Sequence, residues 1–216
     1  MRVAPDMNSQ GLANLLWAYS TLSILQDVDH PPCYAAVWDL VSSLRPQDFS
    51  LEGLHMLFHV HLMHHFTRST QSVEVVYPAW LMVEARDAWM QGVRDDSTAS
   101  RAHRELASVF DELGAQHEME RVTADGYFSM DIYLPEHDVA VEFDGPTHYY
   151  TTSGASSSRD APRTRTASTE LRDYLLAKQC AKVVTVPWFE FAECSTPVKR
   201  RTYVREKLAR EAGVEV

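Results

Sequence analysis

The side chains that most invite chemistry are Asp131, Glu142 and Asp144, in the stretch YFSMDIYLPEHDVAVEFDGPTHYY from Tyr127 to Tyr150. Alternation makes this stretch a hairpin. Phe128, Met130, Ile132 and Leu134 share one face of its first strand, and Val139, Val141 and Phe143 share one face of the second. Pro135 to Asp138 has the composition of the turn between them. If Leu134 pairs with Val139, Asp131 stands directly opposite Glu142, with Asp144 two residues further along the same water-facing side. Like charges placed opposite each other destabilise a strand pair by up to ~1 kcal/mol. Either solvent on a wet sheet face compensates this, or a shared proton, a metal ion or a ligand's donors do. Gly145-Pro146 then breaks the strand and brings His148, Tyr149 and Tyr150 beside the carboxylates.

At these residues the chain resembles a known family. Asp-Ile-Tyr-Leu-Pro (131–135), Val-Ala-Val-Glu-Phe-Asp-Gly-Pro-Thr-His (139–148), Leu-Arg (171–172) and Val-Val-Thr-Val-Pro-Trp (183–188) look like the RAP domain. That RNA-binding module is abundant in apicomplexans and occurs in organellar RNA proteins. The resemblance implies a small restriction-endonuclease-like core, with Asp131 as its first acidic residue and Glu142 as its second. Nucleases of that fold usually carry a lysine two residues after the second acid, where this chain has Asp144. The expected function is therefore non-catalytic RNA binding in an organelle, as a mitochondrial ribosome component on rRNA or an RNA stability factor. The alternative is a Mg²⁺-dependent endoribonuclease of the PD-(D/E)XK type. Asp131, Glu142 and Asp144 would then hold the ion, and Arg172 or Lys178 would replace the lysine. No cofactor is expected otherwise. The candidate RNA contacts are His148, Tyr149, Arg165, Arg172, Lys178, Trp188, Lys199, Arg200 and Arg201, which offer stacking planes and phosphate partners. For Trp188 and Phe191, core packing competes with stacking.

Charge narrows where RNA can bind. The net charge is −10, against broad attraction of nucleic acid. Residues 1–120 hold 7 basic and 16 acidic side chains, and residues 121–216 hold 13 and 14. Phosphate contacts are thus expected from the C-terminal part, at Arg159, Arg163, Arg165 and the basic run from Lys199 to Arg210, although a solvated helix face explains that run equally. The acidic N-terminal part is expected to meet ribosomal or other organellar proteins. Mitochondria are the expected location, with a plastid as the alternative. No run of eighteen apolar residues exists, so no membrane contact is expected. Cys33, Cys180 and Cys194 lack metal-ligand spacing and read as reduced thiols.

The elements that carry these residues are α+β in class. Residues 1–95 read as a helical repeat segment and 96–216 as the RAP domain, with its core at about 122–191. Helices are expected at Gln10–Ser23 with Ser9 as cap, after Pro31-Pro32, from Leu51 with Ser50 as cap, and over Ser72–Val93. Gly11, Leu12 and Leu15 recur as Gly53, Leu54 and Leu57 at an offset of 42, a spacing that fits stacked helix pairs. Leu-Ala-Asn-Leu-Leu-Trp-Ala-Tyr (12–19) resembles the octotricopeptide repeat that often precedes a RAP domain. The opening residues have the character of neither a signal peptide nor a transit segment. They run straight into a repeat-like helix, which suggests a mature form or a fragment of a longer protein. His55, His59, His61, His64 and His65 include two i,i+4 pairs, a zinc-capable geometry. They lack a cysteine or HExxH context, and a partly exposed helix face is expected. Further elements are a helix over Ser97–Leu113 stopped by Gly114, a strand over Gln116–Val122, a mobile insertion over Ser153–Thr169, a helix over 169–179, a strand over 182–186 and a last helix over 197–211.

Overall fold

The computed structural model describes residues 7–67, 75–96, 100–150 and 163–216, which form two compact units divided between Asp96 and Ser97. Among the described residues no helix is long and apolar enough to cross a membrane.

The first unit holds α1 (Ser9–Gln26), α2 (Tyr34–Ser42), α3 (Leu51–Phe66) and α4 (Glu84–Asp96). Its repeat is written in its caps. The Asn8 side chain accepts from Gly11 N at 2.8 Å, and Ser50 Oγ accepts from Gly53 N at 3.1 Å, at the same offset. Asn8 therefore takes the capping place expected of Ser9, whose hydroxyl donates to the Asp48 carbonyl instead. Trp17 Nε1 donates to His59 Nδ1 at 3.2 Å, so equivalent positions of the two copies touch. Gln10 accepts from Ser50 Oγ at 2.7 Å, near the start of both helices. These contacts lay α1 and α3 side by side in one direction, as in a stacked repeat.

One expectation fails in this unit. Pro78 leads into a short 3₁₀ turn (Ala79–Met82), and a break at Val83 delays α4 to Glu84. Val76 and Val83, apolar positions of the expected helix, are 79% and 56% exposed. The α3 histidines keep the partial exposure expected of them, while several of their ring nitrogens are held inside the unit. His64 lies between the hydroxyls of Tyr34 and Tyr77, and His55 Nε2 donates to the Ala88 carbonyl at 2.7 Å. Burial lowers the pKa of His59 to about 4 and that of His64 to about 3, the latter helped by His30 and His61. Both are held neutral, and of the five only His65 is classed as exposed.

The second unit runs α5 (Arg101–Leu113), β1 (Glu118–Val122), β2 (Ser129–Leu134), β3 (Val139–Asp144), α6 (Ala167–Leu176), β4 (Lys182–Pro187), α7 (Trp188–Glu193) and α8 (Pro197–Ala212). The sheet order is β1-β2-β3-β4, antiparallel across the first three strands, with β4 parallel to β3. This αβββαβ order with its mixed four-stranded sheet has the α+β arrangement that the resemblance implied. Ser100 caps α5, and Gly114 ends it at φ +71°, a left-handed conformation that glycine adopts without a Cβ penalty. Alternate positions of β2, β3 and β4 (Ile132, Leu134, Val139, Val141, Val184, Val186) pack with Leu106 and Phe110 of α5 and Val204 and Leu208 of α8. That apolar layer makes one sheet face rigid and leaves the other free to carry polar groups. The α6 side chains reach onto that second face, because Arg172 and Asp173 contact Glu142 and Thr185.

Candidate functional site

Leu134 pairs with Val139, as the hairpin pattern required, and the β2–β3 pairing ends at Ile132–Val141, where the acids begin, while β2 stays paired with β1 from Ser129 to Tyr133. One residue beyond that last pair the register lines up Glu120, Asp131 and Glu142 across three strands. β2 and β3 part here, and carboxylates take over from carbonyls as acceptors. Asp131 N donates to Glu142 Oε1 at 3.3 Å, and Phe143 N donates to Asp131 Oδ2 at 2.7 Å.

The expected wet face is not wet. Glu142 and Asp144 are each 2% exposed, because β4 encloses β3 on its far side and α6 covers the polar face. Each acid is held by its own arginine. Arg172 donates through Nη1 to Glu142 Oε2 and through Nη2 to the Ser129 carbonyl, the latter at 2.6 Å. Arg165 donates through Nε to Asp144 Oδ2 at 2.8 Å and through Nη2 to Asp173 Oδ2 at 2.5 Å, and Thr185 Oγ1 donates to the same Asp173 oxygen at 3.0 Å. His148 Nδ1 lies 3.2 Å from Asp144 Oδ1, and the Tyr149 hydroxyl donates to Oδ2 at 3.4 Å.

The electrostatics follow from this enclosure. Burial pushes the Glu142 carboxyl up, Arg172 opposes the rise and the Asp131 charge adds to it. Burial disfavours the Arg172 cation, yet Glu142, Asp131 and Asp173 hold its pKa above the ordinary value. Burial and then the Asp144 charge push Tyr149 up to about 12. The structure thus compensates the acids with fixed guanidinium groups.

Arg165 falls within the expected insertion, yet it is ordered by a β-bridge to Tyr149. Tyr150 N donates to Thr164 O at 2.9 Å, and Thr166 caps α6. Residues 151–162, including Arg159, lie outside the described residues.

The remaining candidates divide. Arg163 is exposed and its guanidinium lies 4.9 Å from the ring centre of Trp188 and 4.7 Å from that of Phe189. Phe189 meets Tyr149 edge-on at 5.5 Å. Trp188 is half-buried, whereas Phe191 is a core residue at 4% exposure. These side chains form a cation and aromatic edge at the ends of β3 and β4 where α7 begins. Lys178 is exposed and lies over Tyr174 at 4.6 Å, away from the Glu142 and Asp144 ion pairs. On α8, Arg200 reaches Glu105 at 3.5 Å and covers Phe191, Arg201 pairs with Glu112, and Lys199 is exposed. Of the expected contacts, the structure gathers Asp131, Glu142, Asp144, His148, Tyr149, Arg165 and Arg172 around one sheet end. Lys178, Lys199, Arg200 and Arg201 sit elsewhere.

Sequence reasoning missed His103 of α5, which lies 3.0 Å from Glu120 Oε1 through Nδ1 and 3.5 Å from Asp131 Oδ2 through Nε2. Its signal was present, since His103, Leu106 and Phe110 share one helix stripe that faces the sheet.

Residues 141–207 match the family model of the RAP domain. The matched span opens inside β3, takes in both acid–arginine pairs and closes in α8. The chain carries a RAP domain, and RNA binding is the function class that this domain brings. No curated protein matches the chain.

Proposed function

Because the second unit carries a RAP domain, we propose that it is a non-catalytic RNA-binding module of an organelle, in a mitochondrial ribosome component bound to rRNA. The observation that carries the reading is the pairing of Glu142 with Arg172 and of Asp144 with Arg165. A nuclease needs those carboxylates as ligands for Mg²⁺, whereas here each is 2% exposed and committed to a guanidinium. The position after the second acid that would hold a catalytic lysine is Asp144, so phosphate meets no positioned cation there. RNA contact falls instead to the neighbouring edge, where Trp188, Phe189, Tyr150 and Arg163 offer planes to unstacked bases. Exposed Lys199 and Lys178 supply phosphate contacts, and the acidic helical unit serves protein partners.

Two measurements test this. The chain, incubated with single-stranded RNA and Mg²⁺, should bind without cutting. Cleavage that disappears in Asp131→Asn and Glu142→Gln would replace the proposal with an endoribonuclease. The chain should also co-sediment with mitochondrial ribosomal particles at high salt. Recovery only in the free fraction would remove the ribosomal assignment while leaving RNA binding intact.

A further inference from the structure

We propose that His103, Glu120 and Asp131 bind one divalent transition-metal ion of the manganese or zinc type, which ties α5 and β1 to β2. Each residue offers one ligand atom, and these atoms lie within 4.8 Å of one another. The side chains are 19%, 15% and 15% exposed, sheltered from bulk water yet open enough for an ion to enter. Among the described residues this is the one such group of three.

Both ring nitrogens of His103 face carboxylates, yet a neutral imidazole carries a single N–H. One nitrogen therefore turns a lone pair toward an anion, and a cation has to fill that gap. Glu120 and Asp131 bring two carboxylates to His103, whereas Arg172 is committed to Glu142. A proton on His103 offsets one of the two charges, while a divalent ion offsets both. Metal-binding carboxylates are themselves held in place by hydrogen bonds. Phe143 N donates to Asp131 Oδ2 at 2.7 Å, and Ser129 Oγ reaches Glu120 Oε2 at 3.5 Å. One imidazole nitrogen with two carboxylate oxygens suits manganese or zinc, whereas magnesium prefers oxygen alone.

This ion does not use Glu142 or Asp144, and it stands apart from the RNA-binding reading. The test is a titration of the chelator-treated full chain with Mn²⁺ by electron paramagnetic resonance and with Zn²⁺ by calorimetry. One saturable site per chain is expected. It should weaken on the order of tenfold or more in His103→Ala and in the isosteric Glu120→Gln, and stay unchanged in His61→Ala and His65→Ala of the helical unit. Circular dichroism verifies the fold of each variant, and Glu120→Gln decides if His103→Ala fails to fold. The proposal is overturned by the absence of saturable binding up to millimolar metal, or by binding that both variants leave intact. It is also overturned if ring-nitrogen NMR finds both His103 nitrogens protonated at saturating metal.

Discussion

Replacing Arg172 with methionine keeps most of the side-chain volume and removes the cation that holds Glu142. Breaking a buried pair from one side typically costs ~3–5 kcal/mol. The pair here is not sealed, since the Arg172 side chain is 32% exposed, which puts the expectation at the low end. A second limit comes from Glu142 itself, which can take up a proton rather than stay charged and alone. Its ordinary pKa is 4.5. Full protonation of a free carboxyl costs about 3.5 kcal/mol at pH 7 and under ~1 kcal/mol at pH 5, at ~1.4 kcal/mol per pH unit. Burial already lifts the wild-type Glu142 pKa to about 7, so the wild type bears most of that cost. In the variant the folded-state pKa rises further, so the added penalty is absent at pH 5 and grows as pH climbs above about 7. Native-state hydrogen exchange at the β3 and β4 amides measures the loss at pH 5 and pH 8.5. A loss near zero at pH 5 that reaches up to about 2 kcal/mol at pH 8.5 is expected, as is substantial recovery at pH 8.5 in Arg172→Met/Glu142→Leu. Equal losses at the two pH values, or under ~0.5 kcal/mol at pH 8.5, would show that Glu142 does not depend on this arginine.

Three other outcomes follow from the same geometry. Trp188→Ala should weaken single-stranded RNA binding by about 1–3 kcal/mol, roughly five- to hundredfold, if a base stacks on that plane; filter binding at fixed salt reads it. Lys199→Gln and Arg163→Gln should each lower the slope of log K against log salt by ~0.7, while Arg172→Met should leave it alone, because its charge is already committed. In the helical unit, His59 and His64 titrate in the folded state at about 4 and about 3, well below the ordinary 6.5. Stability is then full above pH 6.5 and falls as the unfolded chain gains protons, by roughly 1 kcal/mol per histidine at pH 5.5. Amide protection factors in α3, corrected for the intrinsic pH dependence of exchange, should fall between pH 7.5 and 5.5, and pH-independent protection would contradict the placement of these rings.

The hairpin register was legible because alternation and a four-residue turn leave few ways to pair β2 with β3. The repeat at an offset of 42 was legible too, since Gly11 and Gly53 recur with their leucines, but its matching caps were not, because Ser9 was expected where Asn8 accepts from Gly11 N. What the pattern could not supply was the environment of Glu142 and Asp144. Their enclosure depends on β4 and α6, which arrive some thirty to forty residues later in the chain, and on Arg165, which lies in a stretch of loop composition. Arg172 was read as a phosphate contact because charge on a helix says nothing about which carboxylate it faces. His103 and Glu120 escaped notice for a related reason. Asp131 has neighbours on both strands, and only the β1 register places Glu120 opposite it, at a left-handed residue (φ +50°) that interrupts the regular pairing.

That doubled neighbourhood gives Asp131 a structural task that any catalytic test must respect. Because the β2–β3 pairing stops at Ile132–Val141, the Phe143 N–H would lack a partner on β2, and the Asp131 carboxylate supplies one at 2.7 Å. A buried donor left without an acceptor costs about 1–3 kcal/mol. Asp131→Ala should therefore destabilise the sheet end by that amount, whatever the site does with RNA or metal. Asp131→Asn retains a carbonyl oxygen for the same bond and removes only the charge, so it should keep most of the stability. Exchange at the Phe143 amide separates the two, since it should quicken in the alanine variant and stay near its original rate in the asparagine one. Equal protection in both would mean that this hydrogen bond does not hold the strands, and the carboxylate would then have to be explained by a ligand alone.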